Sequence, residues 1–276
     1  MTEMTTSQHL RPKIYVVSLQ RSIERRARIA QQLSRLGVDF TFVDAVDAEQ
    51  VEPEWLQAQV DGEALLRNMK RNQLSGPEIA CVLSHRLVYE DIINSGTYGG
   101  LVLEDDVIVP PVFVDALEYF QKCGAALSET CAIYHLGALS RPYSPYLILR
   151  HRSAVRASKR LSFAECLILR RTEMVGAYGY FATRKAVSSL LASPRVEAVS
   201  DHWPAWARRS DGKLFVSIPA AVIHLDDPEN STIRASRLAI DETEVGIRAR
   251  CHRLVRFAYR GAFRFIVRPI AESILK

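Results

Sequence analysis

The first 46 residues read as a strand, a helix and a second strand, and this order constrains the fold more than any other feature of the chain. "KIYVVSL" (Lys13 to Leu19) is a run of apolar, largely β-branched residues of strand length. Ser22 stands where a helix N-cap belongs. Ile23, Ala27, Ala30 and Leu33 mark one helical face, and Gly37 supplies the stop. "VDFTFVDAV" (Val38 to Val46) is strand-like again and ends in acids. Similar units follow: helices over Pro77 to Asn94, Pro110 to Lys122 and "RKAVSSLLAS", with strands at "GGLVLED", "AIYHLG", "AYGYFAT", "LFVSI" and "AAVIHL". Such alternation predicts an α/β layer structure with a mostly parallel sheet, whose ligands collect at the carboxyl ends of its strands.

Residues 13–240 are expected to form this body, after a flexible N-terminus over 1–12 and before a tail over 241–276. Within the body, residues 140–171 hold a polar, arginine-rich segment with Pro142 and Pro145. It reads as a long loop or excursion, since long loops in compact domains are often binding lids or substrate-facing segments.

The stretch "LVLEDDVIV" (Leu101 to Val109) sets Glu104, Asp105 and Asp106 where a buried strand should end. Adjacent carboxylates repel and are costly to desolvate. In a strand, Glu104 and Asp106 share a face and Asp105 points away. If the strand breaks at Asp106, all three acids can converge on a hard cation such as Mg²⁺ or Mn²⁺. The plainer alternative is a solvated strand end. His224, closing "AAVIHL" ahead of Asp226 and Asp227, is a further candidate for the metal shell.

Arg21, Arg25 and Arg26 occupy the turn after the first strand, where free backbone N–H groups and the helix dipole favour an anion. No Gly-x-Gly-x-x-Gly and no Gly-x-x-x-x-Gly-Lys occurs, so neither a dinucleotide fold nor a P-loop is indicated. Arginines at one strand end, Asp44 and Asp47 at another and metal-type acids at a third suit a nucleoside diphosphate bridged by a metal.

The net charge of +5 is uneven. Between Glu244 and Glu272 there are seven arginines and no acid, so the body without them is slightly acidic. On a helix, most of these arginines fall on one side and Leu254, Val255, Tyr259 and Phe265 on the other. This basic amphipathic pattern fits an anionic membrane surface better than nucleic acid; a helix docked on the body is the alternative. No run reaches the roughly 18 apolar residues of a transmembrane helix, and the N-terminus has no signal-peptide core. The five scattered cysteines read as reduced thiols. Together these predict a cytoplasmic protein, peripheral on the inner face of the cytoplasmic membrane.

Several of these stretches resemble the bacterial lipopolysaccharide-type glycosyltransferases, family 25 in the sequence classification. Leu19, Arg21, Ser22, Arg25, Asp44, Ala45 and Val46 carry the opening match. "LSGPEIACVLSHRLVYEDI" is similar to a second block through Leu74, Glu78, Ile79, Cys81, Leu83, Ser84 and His85. "GGLVLEDDV" matches the metal motif, and Gly176, Ala177, Tyr178, Lys185, Asp201 and His202 carry the later blocks. Pro77 stands where the family usually has Gly, and so often does Ala80. These departures change the backbone at a helix start but remove no chemical group.

The resemblance implies a GT-A-like, Rossmann-like sandwich that binds a UDP-sugar, commonly UDP-galactose, and inverts the anomeric carbon. The acceptor would be a lipopolysaccharide, a lipooligosaccharide or a related glycolipid. Ser18, Leu19, Arg21, Ser22, Arg25, Asp44, Ala45 and His85 would line the donor site, and Glu104, Asp105, Asp106 and His224 the metal. Asp201 is the candidate base that takes the acceptor proton; its alternative role is a helix N-cap before "HWPAWARR". His85, one turn from Cys81 and from Tyr89, is equally readable as a core histidine. Rival functions are nucleotidyl transfer, which also uses paired acids, and non-enzymatic membrane-surface binding.

Overall fold

The structure, a computed structural model, describes residues 12–137, 147–168 and 176–225. The basic tail, Asp226 and Asp227 lie outside the described residues, as does nearly all of the N-terminal segment.

Strand β1 (Lys13–Ser18) leads into helix α1 (Ile23–Arg35) and strand β2 (Thr41–Asp44). Ile29 and Leu33, one turn apart, are the buried residues of α1. Ile23 and Ala27, expected on that face, are exposed, so the inward stripe runs back from Leu33 through Ile29 to Arg25 and carries that arginine toward the strand ends. Ser22 occupies the N-cap position without a side-chain cap bond. Short helices α2 (Pro53–Ala58) and α3 (Gly62–Met69) precede the long helix α4 (Gly76–Asn94). A capping box starts α4: Ser75 Oγ accepts from the Glu78 N–H while the Glu78 carboxylate accepts from the Ser75 N–H. Pro77 sits in its first turn, where a missing N–H costs nothing.

Then come β3 (Gly99–Glu104), β4 (Val107–Ile108), α5 (Val112–Cys123) and β5 (Ala132–His135). The remaining elements are β6 (Leu147–Arg156), β7 (Ser162–Ile168), β8 (Gly179–Thr183), α6 (Arg184–Leu190), α7 (Trp203–Ser210), β9 (Lys213–Ile218) and β10 (Ile223–His224).

Eight strands form one sheet in the order β2-β1-β3-β8-β5-β9-β7-β6, and β10 pairs with β4 beside it. The sheet is mixed, which corrects the mostly parallel expectation. β1–β2, β1–β3 and β5–β9 are parallel, whereas β8 runs against both β3 and β5, and β7 against both β6 and β9. Residue patterns give strand positions but not strand directions. The polar segment read as a loop contributes the β6–β7 hairpin, because Phe163, Ala164 and Cys166 bury themselves in the sheet.

Alternation along β1 divides the core. Ile14 and Val16 face a cluster with Ile29, Leu33, Phe113 and Phe120, while Tyr15 and Val17 face Val88, Ile92, Val187 and Trp203. Helices α1 and α5 thus cover one face, and α4, α6 and α7 the other. Gly100 permits the close seat of α4: a Cβ there would lie 2.5 Å from Ile92 Cδ1.

Candidate active site

Strand register gathers the site. Ser18 pairs opposite Asp44, and Val17 opposite Glu104. Across the antiparallel pairs, Leu103 lies opposite Gly179 and His135 opposite Tyr180. One edge of the sheet therefore holds the carboxyl ends of β1, β2, β3 and β5 and the start of β8, where ligands gather in such folds.

The three acids divide. Asp105 is buried and turns toward α1: Ser18 Oγ donates to its Oδ2 at 2.6 Å, and Arg25 Nη1 lies 3.4 Å from its Oδ1. Burial raises the Asp105 carboxyl above its ordinary range, against the pull of Ser18 and Arg25. Glu104 and Asp106 instead meet His224. Antiparallel pairing sets His224 opposite Val107, which brings its Nε2 to 3.5 Å from Asp106 Oδ2. Glu104, Asp106 and His224 each offer a ligand atom, all within 4.8 Å of one another.

Asp106 Oδ1 is buried and has no hydrogen-bond partner among the described residues. A buried carboxylate oxygen without a partner is costly, and a cation would satisfy it. Two carboxylates and an imidazole suit a hard or borderline divalent ion, so these residues fit Mn²⁺ or Mg²⁺. Arg25, 3.7 Å from Asp106 Oδ2, adds positive charge to the same edge.

His85 backs this group from inside the core. Its Nε2 lies 3.3 Å from Glu104 Oε1 and its Nδ1 2.8 Å from the Tyr180 hydroxyl, which in turn bonds Tyr89 Oη at 2.8 Å. Burial works against the charged imidazole, but Cys81 and Glu104 outweigh it and push the His85 pKa up to about 10. Burial likewise raises the Glu104 carboxyl, with His85 opposing and Asp106 reinforcing the shift.

The arginine turn is more fully self-paired than its sequence implied. Arg21 binds Asp47 at 2.6 Å and Glu49 at 3.1 Å, and Arg26 binds Asp44 at 2.8 Å while covering the Phe42 ring. Gln20 and Arg26 hold the Asp44 carboxyl below its ordinary range, and Arg21 does the same for Asp47. Leu19 accepts the turn bond from Ser22 N–H, and Ala45 N–H donates to Ser18 O. These residues shape the end of β1.

Asp201 is not the N-cap of α7, a position His202 holds. Its Oδ2 accepts the Gly176 N–H at 2.9 Å, and Gly176 O accepts from Trp203 Nε1 and bonds His135 Nε2. Gly176 adopts a φ of +102°, a conformation that favours glycine. Asp201 thereby fixes the chain that leads to Tyr178, whose ring centroid lies 5.0 Å from that of His224.

Three residues were not singled out for the site. Ser84 Oγ accepts the Val46 N–H at 2.9 Å and ties α4 to the end of β2. Tyr178 flanks His224, and its carbonyl accepts the Glu104 N–H at 3.0 Å. Cys81 joins His85 and Glu104 in a second close group of ligand atoms. All three stand in the blocks that carry the family resemblance, and Cys81 left a further sign in its four-residue spacing to His85 on a helix.

The family model described as glycosyltransferase family 25 (LPS biosynthesis protein) matches residues 11–201, so His224 lies beyond the matched region. A glycosyltransferase 25 family member of Aedes aegypti is 34% identical over 105 residues, covering 36% of this chain and 17% of the relative. The lacto-N-neotetraose biosynthesis glycosyltransferase LgtB of Neisseria meningitidis serogroup B is 34% identical over 96 residues, 34% of this chain and 33% of its own length. A Rattus norvegicus relative, named a probable inactive glycosyltransferase 25 family member 3, is 31% identical over 110 residues, 38% of this chain and 19% of its own. The chain spans about a third or less of the length of each of these relatives.

Proposed function

The chain belongs to glycosyltransferase family 25, and from that premise we propose that it is a metal-dependent, inverting transferase with a GT-A-like fold. It would move a hexose, most simply galactose, from its UDP-sugar to a lipopolysaccharide or lipooligosaccharide acceptor. The observation that carries this reading is the meeting of Glu104, Asp106 and His224, together with a buried Asp106 oxygen that has no hydrogen-bond partner among the described residues.

Glu104, Asp106 and His224 would hold the divalent ion, which when bound supplies positive charge against a departing diphosphate. Arg25 reaches the same edge and would attract the diphosphate oxygens. Asp105 serves this arrangement indirectly, as a partner of Ser18 and Arg25. Arg21 and Arg26, committed to Asp47 and Asp44, keep the end of β1 against the end of β2, where a nucleoside would lie. His85 steadies Glu104 from behind. Asp201 is the proposed base that receives the acceptor hydroxyl proton. A place on the inner face of the cytoplasmic membrane, with the acceptor glycolipid, belongs to the same proposal and rests on the sequence of the tail.

Calorimetric titration of UDP with Mn²⁺, with EDTA and with Asp106→Asn tests the donor site. Binding that requires both the ion and Asp106 supports the proposal and makes a screen of UDP-sugars the next step. UDP binding that ignores both, or no binding under any condition, removes it.

A further inference from the structure

Glu104 belongs to two groups at once. On one side it meets Asp106 and His224, and on the other Cys81 and His85, whose ligand atoms also lie within 4.8 Å of one another and of a Glu104 oxygen. The second group contains sulfur, which changes the ions it can select. Thiolate and imidazole favour Zn²⁺ and its neighbours in the transition series, whereas carboxylate-rich sets suit Mg²⁺ and Mn²⁺.

The geometry of the second group is already close to a metal site. Cys81 and His85 are four residues apart on α4, so they share one face of a helix held by its capping box. Ligands of a tetrahedral zinc ion are separated by about 3.3–3.8 Å when its bonds are about 2.0–2.3 Å long. His85 Nε2 and Glu104 Oε1 are 3.3 Å apart. The outer contacts are also those that orient metal ligands. The Tyr180 hydroxyl meets His85 Nδ1 and leaves Nε2 facing Glu104. Ser200 Oγ lies 3.3 Å from Cys81 Sγ, where its O–H can support a thiolate. Cys81 and Glu104 are only partly buried, so an ion can reach them.

We propose that Cys81, His85 and Glu104 form a second site, selective for a thiophilic divalent ion such as Zn²⁺, which competes for Glu104 with the Glu104–Asp106–His224 group. On binding, the Cys81 thiol proton and the His85 Nε2 proton pass to solvent, and sulfur, nitrogen and oxygen each give a lone pair to the ion. The fourth position is left to solvent. The site itself stands on the geometry of α4 and β3; the competition rests on the proposed role of Glu104 in the donor site.

Co²⁺ is the direct probe, since its absorption reports both sulfur ligation and tetrahedral coordination. Titrated into the whole chain, Co²⁺ should give a near-ultraviolet thiolate-to-metal band that Zn²⁺ abolishes. Cys81→Ser should lack the band and weaken Zn²⁺ binding by about 100-fold, the upper end of what losing an outer-shell partner alone costs. A wild-type protein without the band, or a Cys81→Ser protein that keeps it, overturns the site.

The competition has its own readout: uptake of Mn²⁺, followed by loss of the free-ion paramagnetic resonance signal. One equivalent of Zn²⁺ should weaken that uptake more in the wild type than in Cys81→Ser, where Zn²⁺ displaces Mn²⁺ only by direct competition at the carboxylate and imidazole group. An equal effect of Zn²⁺ in the two proteins, or none in the wild type, overturns the sharing of Glu104. A cobalt band in a protein that takes up no Mn²⁺ supports the sulfur site and removes the donor-site reading alone.

Discussion

Ser18 Oγ donates a 2.6 Å hydrogen bond to Asp105 Oδ2, joining residues 87 positions apart at the tips of neighbouring parallel strands. Ser18→Ala deprives a buried carboxylate of its shortest hydrogen bond and should cost about 1–3 kcal/mol in denaturant unfolding. Asp105→Asn should lower stability in the same way yet keep Mn²⁺-dependent UDP binding, which Asp106→Asn loses. Equal loss of UDP binding in both variants would put Asp105 among the metal ligands after all.

Asp201→Asn keeps an oxygen to accept the Gly176 N–H but gives up the ability to receive a proton. If Asp201 is the base, steady-state transfer to an acceptor oligosaccharide should fall by about 10²–10⁴-fold with UDP affinity unchanged. A variant of wild-type turnover would leave Asp201 only the loop clamp seen in the structure.

His135 is buried, and its Nδ1 accepts the Gly137 N–H while Nε2 faces Gly176 O. Burial lowers its pKa, with the carbonyls of Gly176 and Gly137 opposing, so the unfolded chain takes up a proton first as pH falls. The sign follows: stability is complete above the ordinary histidine value of about 6.5 and is lost as pH drops from there toward the lower folded value. This one residue can contribute a slope of at most about 1.4 kcal/mol per pH unit. Urea unfolding between pH 8 and 5.5 should show a flatter profile for His135→Gln than for the wild type, and equal slopes would count against the assignment.

Gly100→Ala places a methyl group against Ile92 and Tyr15, where α4 lies closest to β3. Overpacking of this kind should cost about 1–3 kcal/mol. Ile92→Val should recover part of that loss in the double variant, as a thermal-denaturation cycle would reveal; strict additivity would mean that the two residues do not compete for space.

Where a single stretch of sequence determined the outcome, it could be read. The apolar run of β1, the acid-tipped β3 and the helix α4 follow from local pattern, but the turn of Asp105 toward Ser18 and Arg25, away from the metal set in which it was placed, depends on contacts with a distant strand and helix. Strand direction was not legible, because the antiparallel insertion of β8 between β3 and β5 depends on pairing between distant segments. The β6–β7 hairpin was hidden by arginines and prolines that describe its polar surroundings rather than its buried Phe163 and Cys166. The internal pairing of the arginine turn was not legible for a related reason. Charge alone says what Arg21 and Arg26 could attract, but Asp47 and Asp44 already hold them, and only the parallel register of β1 and β2 brings those acids within reach.

The pairing of β10 with β4 also sets an order of events during synthesis. Glu104 and Asp106 leave the ribosome more than a hundred residues before His224, the imidazole that meets them. A nascent chain can build β1, β2 and β3 side by side while its two carboxylates still face water. The ion-binding group proposed above can then close only after His224 has emerged. Chains cut short before Ile223 should be recognisable by weak Mn²⁺ uptake even where their sheet has formed.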